Sequence, residues 1–257
     1  MKNAPTVKIC GIRDENTLCE LLKLPVDQIG FVFAASRRRV TPEAAGEWIR
    51  QVRAERGPAL HRTVGVFVEP SREELAFVLE RAPVDIVQLH GGEPPGFCRW
   101  IKERFGAEVW RVVSVPSRET ADAETAERAA ERDAEQRHPL KASAPDPDSL
   151  LEPFWGTVDA VLLDTFDPVT VGGSGRTFPW TAIPPYREAA HRLGFKLIAA
   201  GGLNADNVRG LLSRCRPDGV DVSGGVETGG SKDLTKIRAF VERVKGLEQL
   251  EQNNGSD

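Results

Sequence analysis

Short β-branched runs recur along the chain, beginning near Thr6, Gln28, Thr63, Val84, Glu108, Asp159, Lys196 and Gly219, with helix-like stretches between them. Eight strands alternating with helices over 257 residues predict a single closed α/β domain, a parallel (β/α)8 TIM barrel, in preference to an open doubly wound sheet. Helix starts carry their own signals. Asp14 is placed to cap Glu15 to Lys23, Thr41-Pro42-Glu43 opens a run to Arg53, Ser71 opens Arg72 to Arg81, and Asn204 opens Ala205 to Arg214.

One segment breaks the rhythm. Residues 116–150, after the fifth strand, contain no aromatic residue and are dominated by Ala, Glu, Arg and Asp, which predicts a polar insert rather than core. Within it, Arg118 to Arg137 favours a solvated helix supported by the pairs Glu124 with Arg128 and Asp133 with Arg137, and Ala144 to Asp148 reads as a turn or loop. The barrel is expected over residues 1–247, followed by a polar tail over 248–257.

Composition narrows the function classes. A formal charge of −4 provides no global field for nucleic acid or anionic lipid, so an anionic ligand has to be caught locally. No apolar run approaches the roughly 18 residues of a membrane span, and the start of the chain lacks a signal-peptide core, so a cytoplasmic protein is expected. The four cysteines and four histidines show neither C-x-x-C nor metal-ligand spacing, and no metal is expected.

The strand period locates candidate chemistry. In Val7-Lys8-Ile9-Cys10 it turns Lys8 and Cys10 into the barrel, and Cys10 ends its strand at the face where such barrels work. Asp164 ends the sixth strand, where a carboxylate on an apolar strand is costly unless paired or used; thiol and carboxyl then form a candidate base and acid. A buried structural thiol and a capping Asp are the plainer alternatives. Glycines after the seventh and eighth strands (Gly201, Gly202; Gly224, Gly225, beside Ser223) can offer backbone N–H groups to a phosphate, and Gly172 to Gly175 reads as a lid or a surface loop. In Ser36-Arg37-Arg38-Arg39 one guanidinium can clamp a carboxylate, although such runs are usually solvated; His90 ends the fourth strand as a rim residue.

In this order, the blocks Val7 to Ile12, Gly30 to Phe33 with Ser36-Arg37-Arg38, Val64 to Val68, Val87 to Gly91, Leu163 to Thr165, Gly172 to Gly175, Gly201 to Asn204 and Val220 to Glu227 resemble the phosphoribosylanthranilate isomerase family. The resemblance implies an Amadori rearrangement in tryptophan biosynthesis, requiring no cofactor. On matching positions it makes Cys10 the general base, Asp164 the general acid and Arg38 the contact to the substrate's aromatic carboxylate. Gly201, Gly202, Ser223 and Gly224 would hold the phosphate with support from Asp221, while His90 and Lys8 would complete the substrate surroundings. Lys8 is also the cation expected to favour the Cys10 thiolate over the thiol. The implied partner is a small phosphorylated molecule, acted on by a monomer or homodimer. Departures from the family pattern are the long insert and Ala34-Ala35 before the basic loop. Another phosphosugar barrel, a dual-specificity isomerase and a catalytically dead ligand-binding barrel are the competing readings.

Overall fold

The computed structural model describes residues 4–56, 61–116, 146–166 and 177–246. Eight parallel strands close in sequence order: β1 (Thr6–Cys10), β2 (Gln28–Val32), β3 (Arg62–Phe67), β4 (Ile86–Leu89), β5 (Glu108–Pro116), β6 (Ala160–Phe166), β7 (Lys196–Ala199) and β8 (Gly219–Val222), with β8 pairing back onto β1. Around them run α1 (Glu15–Leu21), α2 (Pro42–Arg56), α3 (Arg72–Arg81), α4 (Pro95–Phe105), α5 (Pro147–Leu151), α6 (Ile183–Arg192), α7 (Val208–Cys215) and α8 (Leu234–Lys245). A short hairpin, β9 (Glu227–Thr228) with β10 (Ser231–Lys232), follows β8. The predicted strand starts agree with the observed ones to within two residues.

Alternation on the strands sorts the core into two layers. Outward residues such as Val7, Ile9, Val87, Val109, Val161 and Leu197 meet the helices and are fully buried. Inside the barrel, Val64, Ile86, Trp110, Val112, Ala160, Leu162 and Ile198 form an apolar plug, with Cys10, Val32 and Val66 in a separate cluster nearer the strand ends. Gly30 makes room for the chemistry: a Cβ there would lie 3.0 Å from the Cys10 Sγ and 3.3 Å from the Lys8 Cε.

At the entry end of the strands a four-fold pattern appears that the periodicity alone does not reveal. Asp27, Asp85, Asp159 and Asp218 precede β2, β4, β6 and β8, and each carboxylate accepts the N–H of the second residue of the strand before: Val7 at 2.7 Å, Thr63 at 2.7 Å, Val109 at 2.8 Å and Leu197 at 2.7 Å. Each Asp N–H donates back to the carbonyl of that same residue. A basic group sits on every one: Lys245, Arg53, Lys102 and His191.

Helix signals held where the cap is local. Asp14 accepts from Thr17 N at 2.8 Å, and Ser71 forms a capping box with Glu74. Two expectations are corrected. Asn204 does not open a helix: its Oδ1 accepts from Asp206 N and Asn207 N, and this side-chain turn delays α7 to Val208. Pro147 and Asp148, expected in a loop, form the first turn of α5, because Asp146 caps Ser149 N and proline suits the first helical position. The predicted helix Arg118 to Arg137, the stretch Gly172 to Gly175 and the tail over 248–257 lie outside the described residues.

Candidate active site

A cleft opens at the carboxyl ends of the strands. Nine of the ten residues singled out from the sequence line it; Lys8 is the exception. Fully buried, the Lys8 ammonium sits 2.9 Å from Asp221 Oδ2 across the β1–β8 register.

Cys10 ends β1 just before Gly11, whose φ of +81° turns the chain sharply. Any side chain at Gly11 would strike the Arg38 stem, with Cδ 2.6 Å from a built Cβ. Burial pushes the Cys10 thiol above its ordinary pKa; Lys8 and Lys232 oppose this, while Asp221 adds to it. The expectation that Lys8 would win over burial is therefore corrected. Its charge is shared with Asp221, and that partner together with the thiol holds Lys8 above its ordinary pKa despite burial.

Asp164 ends β6. Burial, with the charge of Asp221 adding, lifts its carboxyl to about 6, against the pull of the Thr165 N–H, which donates to Oδ1 at 2.8 Å. Among the described residues no Lys or Arg pairs with it directly. His90 approaches to 3.8 Å, but burial and the charge of Lys8 depress the imidazole pKa, so this neighbour is neutral near pH 7.

On one side of the cleft, the turns after β7 and β8 interlock. Gly225 packs on the Leu203 carbonyl so closely that a Cβ would lie 1.8 Å from that oxygen, and Asn207 Nδ2 holds the Gly202 carbonyl at 2.9 Å. The N–H groups of Gly202, Leu203, Gly224 and Gly225 donate to no acceptor among the described residues, so they are available to an anion. The opposite side differs. There the Glu93 carboxylate already accepts from Glu69 N at 2.9 Å and Gly91 N at 3.1 Å, in the turns after β3 and β4.

Arg38 is buried at the rim with its Nε 2.7 Å from Glu227 Oε1 and its Nη2 3.1 Å from Oε2. Arg37 and Lys232 reach the same carboxylate at 2.7 and 3.0 Å. Although burial acts the other way, Arg38 and Lys232 hold Glu227 down at about 2. Reasoning from the sequence gave no role to Glu227 or Lys232. Glu227 closed a quoted block, but nothing local links it to an arginine 189 residues away. Among the described residues no group of His, Cys, Asp and Glu could hold a metal ion, and no helix is long and apolar enough to cross a membrane.

Comparison with known proteins bears on this site. The family model for N-(5'-phosphoribosyl)anthranilate isomerase matches residues 7–140 and 146–243. An N-(5'-phosphoribosyl)anthranilate isomerase of Brevibacillus brevis is 40% identical over 250 residues, covering 97% of this chain and 98% of the relative. The crystal structure of phosphoribosyl anthranilate isomerase from Thermotoga maritima is 35% identical with a TM-score of 0.68, covering 94% of this chain and 99% of that one. A phosphoribosyl anthranilate isomerase solved in complex with reduced 1-(o-carboxyphenylamino)-1-deoxyribulose 5-phosphate is 33% identical with a TM-score of 0.65, over the same shares. With a family model and relatives matching nearly the whole chain, this protein belongs to the N-(5'-phosphoribosyl)anthranilate isomerase family.

Proposed function

We propose that this chain catalyses the Amadori rearrangement of N-(5-phosphoribosyl)anthranilate to 1-(2-carboxyphenylamino)-1-deoxyribulose 5-phosphate, with Asp164 as general acid and Cys10 as general base. The observation that carries the reading is one cleft lined by a protonatable carboxyl, a thiol, unspent backbone donors and a fixed guanidinium. The phosphate goes to the β7 and β8 turns, at Gly201, Gly202, Ser223 and Gly224. The anthranilate carboxylate goes to Arg38, and the ribose lies between them.

Asp164 gives its proton to the ring oxygen as the C1–O bond breaks, leaving an open chain whose nitrogen carries the positive charge of an iminium. A carboxyl held near 6 keeps a useful protonated fraction at neutral pH, where an ordinary Asp at about 3.9 would hold almost none. The Cys10 thiolate then takes the proton from C2; the electron pair forms C1=C2 and neutralises the nitrogen. Ketonisation completes the step, with a proton gained at C1 and one lost from O2. Asp221 and Lys8 act from below, one raising Asp164 and the other favouring the thiolate. The enzyme works on a small phosphorylated substrate as a monomer or homodimer.

Loss of phosphoribosylanthranilate fluorescence on adding the purified protein is the direct test. Turnover by wild type and its loss in Cys10→Ala are expected; absence of turnover by folded wild type would overturn the reading.

A further inference from the structure

The β9–β10 hairpin carries a buried lysine that the chemistry above does not use. Lys232 is 1% exposed at its side chain, and its ammonium meets three acceptors: Ser223 O at 2.9 Å, Ser223 Oγ at 3.3 Å and Glu227 Oε1 at 3.0 Å. An ammonium has three donors, so all are spent and none is left for substrate. Burying such a charge is costly, and the contacts that repay it join the turn after β8 to the carboxylate that holds Arg38.

Lys232 binds the turn after β8, where the phosphate is assigned. Ser223, which it grips twice, in turn donates its hydroxyl to the Cys10 carbonyl at 3.0 Å. With the same ammonium it binds Glu227, which holds Arg38 through Nε and Nη2 together. Two bonds to one carboxylate fix the plane of a guanidinium, leaving its remaining edge to face the cleft. Three cations around one carboxylate also leave a local surplus of positive charge on a chain of net charge −4.

We propose that Lys232 and Glu227 are positioning residues, Glu227 fixing Arg38 for the substrate carboxylate and Lys232 fastening that lock to the phosphate turn and to the Cys10 strand end. This rests on the isomerase reading for the identity of the two anions. Loss of Glu227 should release Arg38 alone, whereas loss of Lys232 should disturb both the Arg38 lock and the phosphate turn.

The test uses the full chain and two probes bound separately, anthranilate and inorganic phosphate, titrated against wild type, Lys232→Met and Glu227→Gln, with thermal unfolding as a check on folding. For Glu227→Gln we expect anthranilate to bind about tenfold or more weakly with phosphate unchanged, and KM for substrate to rise more than kcat falls. For Lys232→Met both probes should weaken and kcat should fall as well. Wild-type affinities and kinetics in either folded variant overturn the proposal for that residue. Should Lys232→Met fail to fold, the lock is decided by Glu227→Gln, and the fastening by the milder Ser223→Ala, for which weaker phosphate binding and lower kcat are expected and wild-type values overturn it. Absence of turnover by wild type would refute the isomerase reading, whereas the probe titrations test the lock independently of it.

Discussion

The two ends of the barrel use aspartate in opposite ways. At the entry end, Asp27, Asp85, Asp159 and Asp218 each exchange hydrogen bonds with the preceding strand and carry a basic partner. At the exit end, among the described residues, Asp164 receives one backbone N–H, has no basic partner within ion-pair reach other than a neutral histidine at 3.8 Å, and is lifted to about 6. A satisfied carboxylate stabilises the fold, and one left short of donors in a buried cleft keeps its proton. The same residue type is structural where its charge is answered and reactive where it is not.

The largest effect should come from the exit end. Asp164→Asn and Cys10→Ala are each expected to lower kcat by about 10² to 10⁴-fold while the protein stays folded, as measured by stopped-flow fluorescence and circular dichroism. Near wild-type turnover in either would remove that residue from the mechanism.

Next, Gly225→Ala places a Cβ against the Leu203 carbonyl and must part the two phosphate turns. A rise in KM of about tenfold or more, with a smaller change in kcat, is expected. An unchanged KM would show that the interlock does not position the donors.

Stability should respond with opposite signs at the two ends. Asp85→Ala removes a carboxylate bound to Thr63 N and Oγ1. The expected cost is about 1–3 kcal/mol with kcat intact. Asp164→Asn should instead stabilise. Its folded pKa near 6 lies above the unfolded value of about 3.9, so the folded state binds the proton more tightly and loses stability as pH rises through that window. The gain should approach ~3 kcal/mol at pH 8 and fade towards pH 4. Urea titrations at both pH values would show it; equal destabilisation by the two variants would abolish the distinction between the ends.

The pH–rate profile sharpens the same point. Activity needs Asp164 protonated and Cys10 ionised, yet Asp164 is held near 6 and the thiol above its ordinary value, so the reacting form is the scarce one. On this account kcat/KM rises to about pH 6, runs level to the pKa of the thiol, and falls beyond it. Residual activity in Asp164→Asn should keep rising through that level stretch; a level profile there would contradict the assignment.

The smallest effect is expected from the segment after β5. Replacing residues 119–144 by a short Gly-Ser linker should leave kcat and unfolding close to wild type, since those residues offer few apolar side chains. Residues from Asp146 onward must be kept. Asp146 caps α5, Asp148 pairs with Arg192 at 2.6 Å, and Leu151 is fully buried.

Much of the barrel and half of the site's logic can be read from the chain. Alternation in Val7-Lys8-Ile9-Cys10 suffices to send Lys8 and Cys10 inward, and Asp14 and Ser71 cap helices through contacts three residues away. Such features depend on neighbours in sequence, so local geometry fixes them. Where local signals compete, the sequence misleads: Asn204 looked like a helix cap and instead closes a turn with Asn207. Charge balance in the cleft belongs to the tertiary structure. Lys8 meets Asp221 only because β8 closes onto β1, and Arg38 meets Glu227 only because the basic loop and the β9 hairpin converge over the same mouth. A pKa follows from burial and from every charge nearby. The chain therefore specified which groups reach the cleft, and barrel closure decided which of them would be neutralised and which left to react.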